Sequence, residues 1–245
     1  MILRRVMQHV KRQDWFAVML DFVIVVLGVF VATQVSNWNE AGAERRRERA
    51  YLQRIHDDVA SLRASTAEAD HTAKEVSGLL NEAMGALASG EDARIANLGA
   101  HYCTAIVRSH IFATPIVTPP AIEEVLQSGE VGIIVDQELR TAIVRYYQEI
   151  EDMSQLRSDL QIDRRALGRT YPNLIKVGLV RWEDSACQFS ELARDQAFLN
   201  DFADALRRYS AFAIAILGRL NIIQSDLHSM LDERLGIRHE VGAAK

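Results

Sequence analysis

Residues 15–35 form an apolar run, WFAVMLDFVIVVLGVFVATQV, that carries a single charge, at Asp21. A bilayer core of about 30 Å needs about 20 apolar residues in a helix that rises about 1.5 Å per residue. Trp15 and Trp38 bracket the run, roughly 34 Å apart along a helix axis, which is the spacing of indoles placed at two membrane interfaces. The pattern predicts one membrane-spanning helix over residues 15–38.

A cleavable signal peptide and a buried soluble helix both fit this run less well. A signal peptide has a shorter apolar region that ends in small residues, whereas polar and bulky SNWNE follows here, and cleavage would have to fall near residues 41–43. A buried helix of a soluble protein needs apolar residues on one face only, and this run is apolar on every face.

The segment before the span, residues 1–14, has the pattern of a basic amphipathic leader. Its apolar residues recur at helical spacing between four basic ones, which is typical of a helix in the headgroup region of an anionic leaflet. The flank after the span also carries four arginines, between Arg45 and Arg49. The positive-inside rule therefore gives nearly equal support to the two orientations of the span. The leader lies closer to the span, which favours a cytoplasmic N-terminus and places the bulk of the chain outside.

The hydrophobic pattern beyond Trp38 stays helical. Apolar residues recur at steps of three, four or seven on one face, and no proline interrupts the chain before Ser89. The membrane helix is therefore expected to continue into a long helix of the following domain. The residues of this stripe are Leu52, Ile55, Val59, Leu62, Ala69, Ala73, Val76, Leu80, Met84 and Leu87.

Shorter patterns predict the remaining elements. A second helix is expected over residues 95–110, a loop over 113–120, and a short helix that Thr118 caps and that ends near Gln127. Asp136 is the expected N-cap of a helix through residue 167, and residues 174–190 are ambiguous. A last helix is expected over 196–235, in which the apolar segment 210–218 is too short to span a membrane. The fold class is all-α, an up-and-down helical bundle over residues 39–240.

Composition narrows the class of protein. The 245 residues carry a net charge of −5, so no global basic field favours nucleic acid as a partner. Two cysteines occur, Cys103 and Cys187. Outside the cytoplasm, such a pair either forms a disulfide that closes a long loop or remains two buried thiols.

Candidate sites lie mainly in the span. Asp21 is costly to bury in hydrocarbon, so it is either an interfacial acid, a polar contact with a partner or a second copy, or part of an ion path. Gly28 and Ala32 form a small-xxx-small pair that permits close helix packing. Glu68 and His71 match half of a di-iron motif, but no second copy follows. No nucleophile or phosphate-loop motif occurs, so we expect no enzyme activity, catalytic residue, metal or cofactor.

Two segments resemble a bacterial family of uncharacterised single-pass membrane proteins. In that family an acid precedes the span, matched here by Asp21, and the span ends in a Gln-x-x-Asn-Trp-Asn-Glu signature. The second segment, residues 123–147, is similar to the family's Glu-Leu, Ser-Gly, Ile, Leu-Arg, Tyr-Tyr segment. The signature residues are Gln34, Asn37, Trp38, Asn39 and Glu40. The resemblance implies a bacterial inner membrane but no activity.

These patterns predict a structural or interaction role. The polar, small-residue span and the long amphipathic helix indicate an accessory or scaffold subunit held against a larger membrane complex, or a homo-oligomer. The alternative is an extracytoplasmic ligand-sensing module that lacks its own output domain. An exposed apolar strip favours the first hypothesis, and an internal cavity favours the second.

Overall fold

The computed structural model describes residues 15–238, without the side chains of residues 15–18 and 21. The chain divides into two compact units, Met1–Ala50 and Tyr51–Lys245. The predicted leader, residues 1–14, lies outside the described residues.

Helix α1, Trp15–Ser89, begins in the first unit and ends in the second. By length and composition, this is one helix in the described part that is apolar enough to cross a membrane. The apolar stripe predicted for its second half is largely buried, with Ile55, Val59 and Leu80 fully so. Helical periodicity therefore places this face of α1 in the core of the second unit.

The second unit consists mostly of helices, as the sequence predicts. After α1 come α2 (Asp92–Ala96), α3 (Ala100–Arg108), α4 (Pro120–Gln127), a 3₁₀ turn (Glu130–Ile133), α5 (Gln137–Gln161) and α6 (Leu167–Thr170). Then follow β1 (Ile175–Lys176), a 3₁₀ turn (Trp182–Asp184), β2 (Ala186–Cys187), α7 (Phe189–Leu192), α8 (Gln196–Ala211), a π-helical segment (Phe212–Gly218) and α9 (Arg219–Leu235).

Side-chain caps fix the starts of the two long C-terminal elements. Asp136 accepts hydrogen bonds from the backbone N–H groups of Glu138 and Leu139, at 3.0 and 3.1 Å, so the predicted N-cap of α5 is confirmed. Asp195 caps α8 in the same way, at 2.9 and 3.1 Å. These caps satisfy backbone donors that the first turn of a helix leaves without partners.

Three predicted boundaries are wrong. The single helix over 95–110 is two helices, because the chain becomes extended at Gly99 (φ −90°, ψ −179°) before α3 begins. Helix α4 is capped at Pro119, not Thr118. Helix α5 stops at Gln161, where Ile162 turns extended. Arg208 there donates hydrogen bonds to the carbonyls of Leu160 and Ile162, at 3.2 and 2.7 Å, which replaces the missing helical donors.

The ambiguous segment 174–190 forms a small antiparallel hairpin. Ile175 pairs with Cys187 and Lys176 with Ala186. The final helical stretch agrees with prediction in its bounds, but residues 212–218 are π-helical rather than α-helical. In that segment Phe212, Ala213, Ile216 and Leu217 are buried in the core, whereas Ile214 is 67% exposed.

Candidate functional site

The predicted membrane-contact residues lie along the first half of α1. Gly28, Ala32, Gln34 and Asn37 are exposed, and the Trp38 side chain is 75% exposed. Among the described residues, no atom lies within 4 Å of the position that a Cβ atom on Gly28 would occupy. Thr33 keeps its hydroxyl within the helix by donating to the carbonyl of Phe30 at 2.8 Å. The predicted contacts of Trp15 and Asp21 involve side chains that are not among those described.

Glu68 and His71 on α1 match half of a di-iron motif. Among the described residues, these two do not belong to a group of three potential metal ligands. Both residues are exposed, and His71 Nε2 lies 3.3 Å from a carboxylate oxygen of Glu75 on the same helix. A pair of polar side chains one turn apart on an exposed helix face contributes little to stability. Glu68 instead lines a cavity in the second unit.

This cavity of about 570 Å³ lies among α1, α3, the loop after α3, and the π-helical segment. Such a volume falls in the range of small-molecule sites. Its buried wall is apolar and includes Tyr209, Phe212 and Leu217. The complete lining is Ser65, Glu68, Ala69, Thr72, Ala73, Val76, Leu79, Ala100, His101, Thr104, Ala105, Arg108, Ile111, Ala113, Thr114, Glu183, Tyr209, Phe212 and Leu217.

Four residues of the lining with ionisable side chains are exposed. Glu68, His101, Arg108 and Glu183 thus combine with an apolar interior. Burial raises the pKa of the Tyr209 phenol, which the charge of Arg108 partly counteracts. Tyr209 therefore stays neutral at physiological pH. An apolar cavity with a few charged groups suits a ligand that has an apolar body and a polar end.

Aromatic packing sets the buried wall of the cavity. The Phe112 and Phe212 rings stack with centroids 4.9 Å apart, and Tyr209 meets Phe212 edge-on at 6.1 Å. Core packing is what the sequence indicates for Phe112, but no sequence signal shows that Tyr209 and Phe212 line a pocket. Their exposure to the cavity depends on the loop after α3, which the sequence predicts, and on the π-helical segment, which it does not.

A disulfide joins Cys103 on α3 to Cys187 on β2, with Cα atoms 5.6 Å apart and a sequence separation of 84. The pairing that the sequence left open is therefore formed in the structure. The bond ties α3 to the hairpin whose 3₁₀ turn supplies Glu183 to the cavity. Thr104 adds a hydrogen bond from its hydroxyl to the carbonyl of Trp182, at 3.2 Å.

The structure also brings together two histidines and an aspartate, and the sequence did not predict this cluster. His56 on α1 lies with Nε2 3.0 Å from Oδ1 of Asp232, and His228 lies with Nδ1 3.0 Å from Oδ2 of the same carboxylate. No local pattern joins these residues, because His56 is 176 residues from Asp232. The His228–Asp232 spacing of four residues, on the apolar face of α9, was the one sequence signal.

The neighbours of His56 have separate roles. Asp57 Oδ1 lies 3.0 Å from Nδ1 of His56, and this contact, with a hydrogen bond from Gln53, lowers the pKa of the Asp57 carboxyl. Asp58 contacts another helix, α4. Adjacent residues on a helix point in different directions. The imidazole of His56 nevertheless contacts both Asp57, its neighbour on α1, and Asp232 on α9.

Comparison of the chain with protein-family models, curated proteins and solved structures found no match. The class of protein is therefore defined by the sequence and structure of the chain itself. It is an all-α protein with one helix, in the part of the chain described, suited by length and composition to cross a membrane, and with a helical unit that contains a cavity of about 570 Å³.

Proposed function

We propose that the chain is a single-pass membrane protein whose helical unit binds a small amphipathic ligand. The observation that carries this proposal is the cavity of about 570 Å³ beside α3, which has an apolar interior and charged residues at exposed positions of its lining. Sites for small molecules are typically concave, mostly apolar and furnished with a few polar groups that orient the ligand. The proposal corresponds to the ligand-sensing alternative that the sequence pattern leaves open.

Arg108 in the lining can bind an anionic end group on the ligand. Arg108 is a permanent cation with planar donors that pair well with carboxylate or phosphate. Glu68 and Glu183 are also in the lining, so the anionic group must lie nearer Arg108 than these acids. A fatty acid or a similar amphiphile satisfies both the apolar volume and this charge.

The location of the helical unit forms part of the proposal. Disulfides persist mainly in oxidising compartments, and the Cys103–Cys187 bond supports a unit on the outer side of the membrane. The basic residues before the span support a cytoplasmic N-terminus. Together they favour a bacterial inner membrane with a periplasmic helical unit. Membership in the resembled family remains a prediction.

The test uses the untruncated chain in lipid nanodiscs and a dansylated fatty acid as the probe. Ala69→Trp places an indole in the cavity, whereas Ala67→Trp adds the same indole at an exposed position of α1 outside the lining. Saturable fluorescence enhancement should occur with the native chain and with Ala67→Trp and disappear with Ala69→Trp. Arg108→Gln should weaken binding about tenfold, because a charge-assisted hydrogen bond is lost. Equal binding by both tryptophan variants contradicts the proposal.

A second function, an accessory or scaffold subunit, is favoured by the hairpin tip. Leu179 and Val180 are 98% and 92% exposed, and Trp182 beside them is 40% exposed. Adjacent exposed apolar residues of this size are unusual on a surface that meets only water. Their burial against another membrane protein, or a second copy of the chain, would lower the free energy of association.

The size of the particle extracted in mild detergent tests this second function. If the tip forms the contact, Leu179→Ser with Val180→Ser should reduce a larger particle to the monomer. Ile162→Ser, at a 60% exposed position on the loop after α5, should leave the particle unchanged. A native chain that is monomeric after extraction contradicts the scaffold function and leaves the ligand-binding proposal untouched.

A further inference from the structure

The cluster formed by His56, His228 and Asp232 connects two distant parts of the chain. His228 and Asp232 lie one turn apart on α9, and His56 reaches them from α1. Each oxygen of the Asp232 carboxylate lies 3.0 Å from a different imidazole nitrogen. The ring centroids of the two histidines are 4.7 Å apart. Three potential metal ligands thus converge from two helices.

Burial separates this cluster from ordinary surface pairs. His56 is 7% exposed and His228 is 4% exposed, and the Asp232 side chain is 17% exposed. Buried leucines flank the cluster along both helices, among them Leu52 on α1 and Leu231 on α9. A carboxylate in such surroundings has lost much of its hydration, so it interacts strongly with a neighbouring cation.

The imidazole of His56 lies between two carboxylates. Its Nδ1 lies 3.0 Å from Asp57 and its Nε2 lies 3.0 Å from Asp232. A neutral imidazole has one N–H group, so donation to Asp57 turns the lone pair of Nε2 toward the Asp232 carboxylate. In this tautomer, a metal ion between the two groups would bind both the lone pair and the carboxylate.

Asp57 occupies the position of an outer carboxylate in a metal site. Metal-bound histidines usually donate their second N–H to a carboxylate or carbonyl, which fixes the tautomer and the ring orientation. Asp57 contacts His56 in this way and is itself held by Nε2 of Gln53, which donates to Oδ1 at 3.0 Å. The arrangement therefore supplies both inner ligands and one outer partner.

The distances admit a transition metal. The three ligand atoms, one from each residue, lie within 4.8 Å of one another. One nitrogen of each imidazole lies 3.0 Å from a different oxygen of Asp232. Bonds of about 2.0–2.2 Å place tetrahedral ligands about 3.4 Å apart, so small side-chain rotations bring these three ligands to one ion and leave the fourth position for a water molecule. Two imidazoles and one carboxylate suit zinc and related divalent ions better than calcium or magnesium.

We propose that His56, His228 and Asp232 bind one divalent transition-metal ion, preferentially zinc, and that this ion links α1 to α9. The inference stands apart from the ligand-binding proposal, because none of the three residues lines the cavity. The ion would act as a structural link between elements that lie far apart in sequence.

The test uses the untruncated chain in detergent, purified through a tag without histidine and freed of metal by chelation. Titration with Co²⁺ should give the visible absorption of a low-symmetry site, saturating at one ion per chain, and Zn²⁺ should displace it. Zinc should also raise the Tm of the metal-free chain, since it binds only the folded state. Asp57→Asn should weaken binding about 10–100-fold, as loss of an outer partner does.

Matched histidine variants locate the ion. His56→Gln should abolish saturable binding and the zinc-dependent shift of Tm, while His71→Gln, an exposed position on the same helix, should leave both unchanged. The Tm shift of the native chain keeps the test decisive even if His56→Gln fails to fold. A metal-free native chain that shows no saturable Co²⁺ absorption and no Tm shift with zinc overturns the proposal, as does equal loss of binding in both variants.

Discussion

Asp58 on α1 accepts a hydrogen bond from the backbone N–H of Ala121, 2.9 Å away, in the first turn of α4. The N-cap residue of α4, Pro119, has no side chain that can accept such a bond. A carboxylate 63 residues earlier therefore supplies the capping interaction. The contact also brings negative charge to the positive end of the helix dipole.

Removal of this carboxylate should destabilise the chain. Asp58→Ala is expected to lower the free energy of unfolding by about 1 kcal/mol, because α4 loses its cap and a backbone donor loses its partner. Thr118→Ala, at the residue that the sequence pattern predicts as the cap, should change it by less than about 0.5 kcal/mol. Urea unfolding of both variants makes the comparison. A larger loss for Thr118→Ala contradicts the structure.

The disulfide should stabilise both the fold and the cavity. Replacing Cys103 and Cys187 by serine removes a cross-link between residues separated by 84 positions, which is worth about 4 kcal/mol on the chain-entropy model. Since α3 and the following hairpin both contribute to the cavity lining, the double variant should also bind the dansylated fatty acid more weakly. Thermal unfolding with and without reductant gives the measurement, and an unchanged Tm would argue against a formed bond.

Alanine substitutions at two glycines should change the stability of the chain in opposite directions. A Cβ atom on Gly178 would lie 1.9 Å from the carbonyl oxygen of Arg181, so Gly178→Ala must displace the hairpin backbone and should lower the Tm. Gly78 lies within α1 with nothing near its Cβ position, and Gly78→Ala should add up to about 1 kcal/mol through helix propensity. Thermal unfolding decides, and destabilisation by Gly78→Ala would show a close contact that the structure lacks.

Acidification should destabilise the chain through His110. Burial lowers the pKa of this imidazole, and the charges of Arg164 and Arg169 lower it further. The unfolded chain therefore binds a proton first as the pH falls below about 6.5. The stabilising contribution is present above that pH and is lost as the pH falls through the lower, folded pKa. Between about pH 7 and pH 5, His110→Gln should lose less unfolding free energy than the native chain.

His71→Gln serves as the control for this pH dependence, since its imidazole is exposed and pairs with Glu75 one turn away on the same helix. Its unfolding free energy should follow the native chain across the same pH range. If His110→Gln instead parallels the native curve, the pH dependence arises elsewhere in the chain.

Much of the helical architecture could be predicted from local patterns. The stripe from Leu52 to Leu87, the cap at Asp136 and the end of the short helix at Gln127 depend on spacing and side-chain chemistry within a few residues, and the structure contains all three. Such features are encoded locally because helix periodicity and capping act over one or two turns.

The features that the sequence did not reveal depend on tertiary contacts. Helix α5 ends where Arg208 supplies donors to its last carbonyls, and α4 is capped by Asp58, both from distant segments. The cavity needs α1, α3 and the π-helical segment at once. The histidine–aspartate cluster needs α1 beside α9. A single sequence shows the residues of these sites, but it does not show which helices lie side by side.

The π-helical segment Phe212–Gly218 sets the rotational register of everything that follows it. Each residue of an α-helix adds a rotation of about 100° about the helix axis. The π-helical segment takes up one extra residue without adding that rotation, so α8 and α9 bury faces that one uninterrupted α-helix would not align. If the full-length segment were instead regular α-helix, the extra residue would turn His228 and Asp232 together, by about a quarter of a rotation, away from His56. The length of this one segment thus determines which side chains of the last helix meet the first.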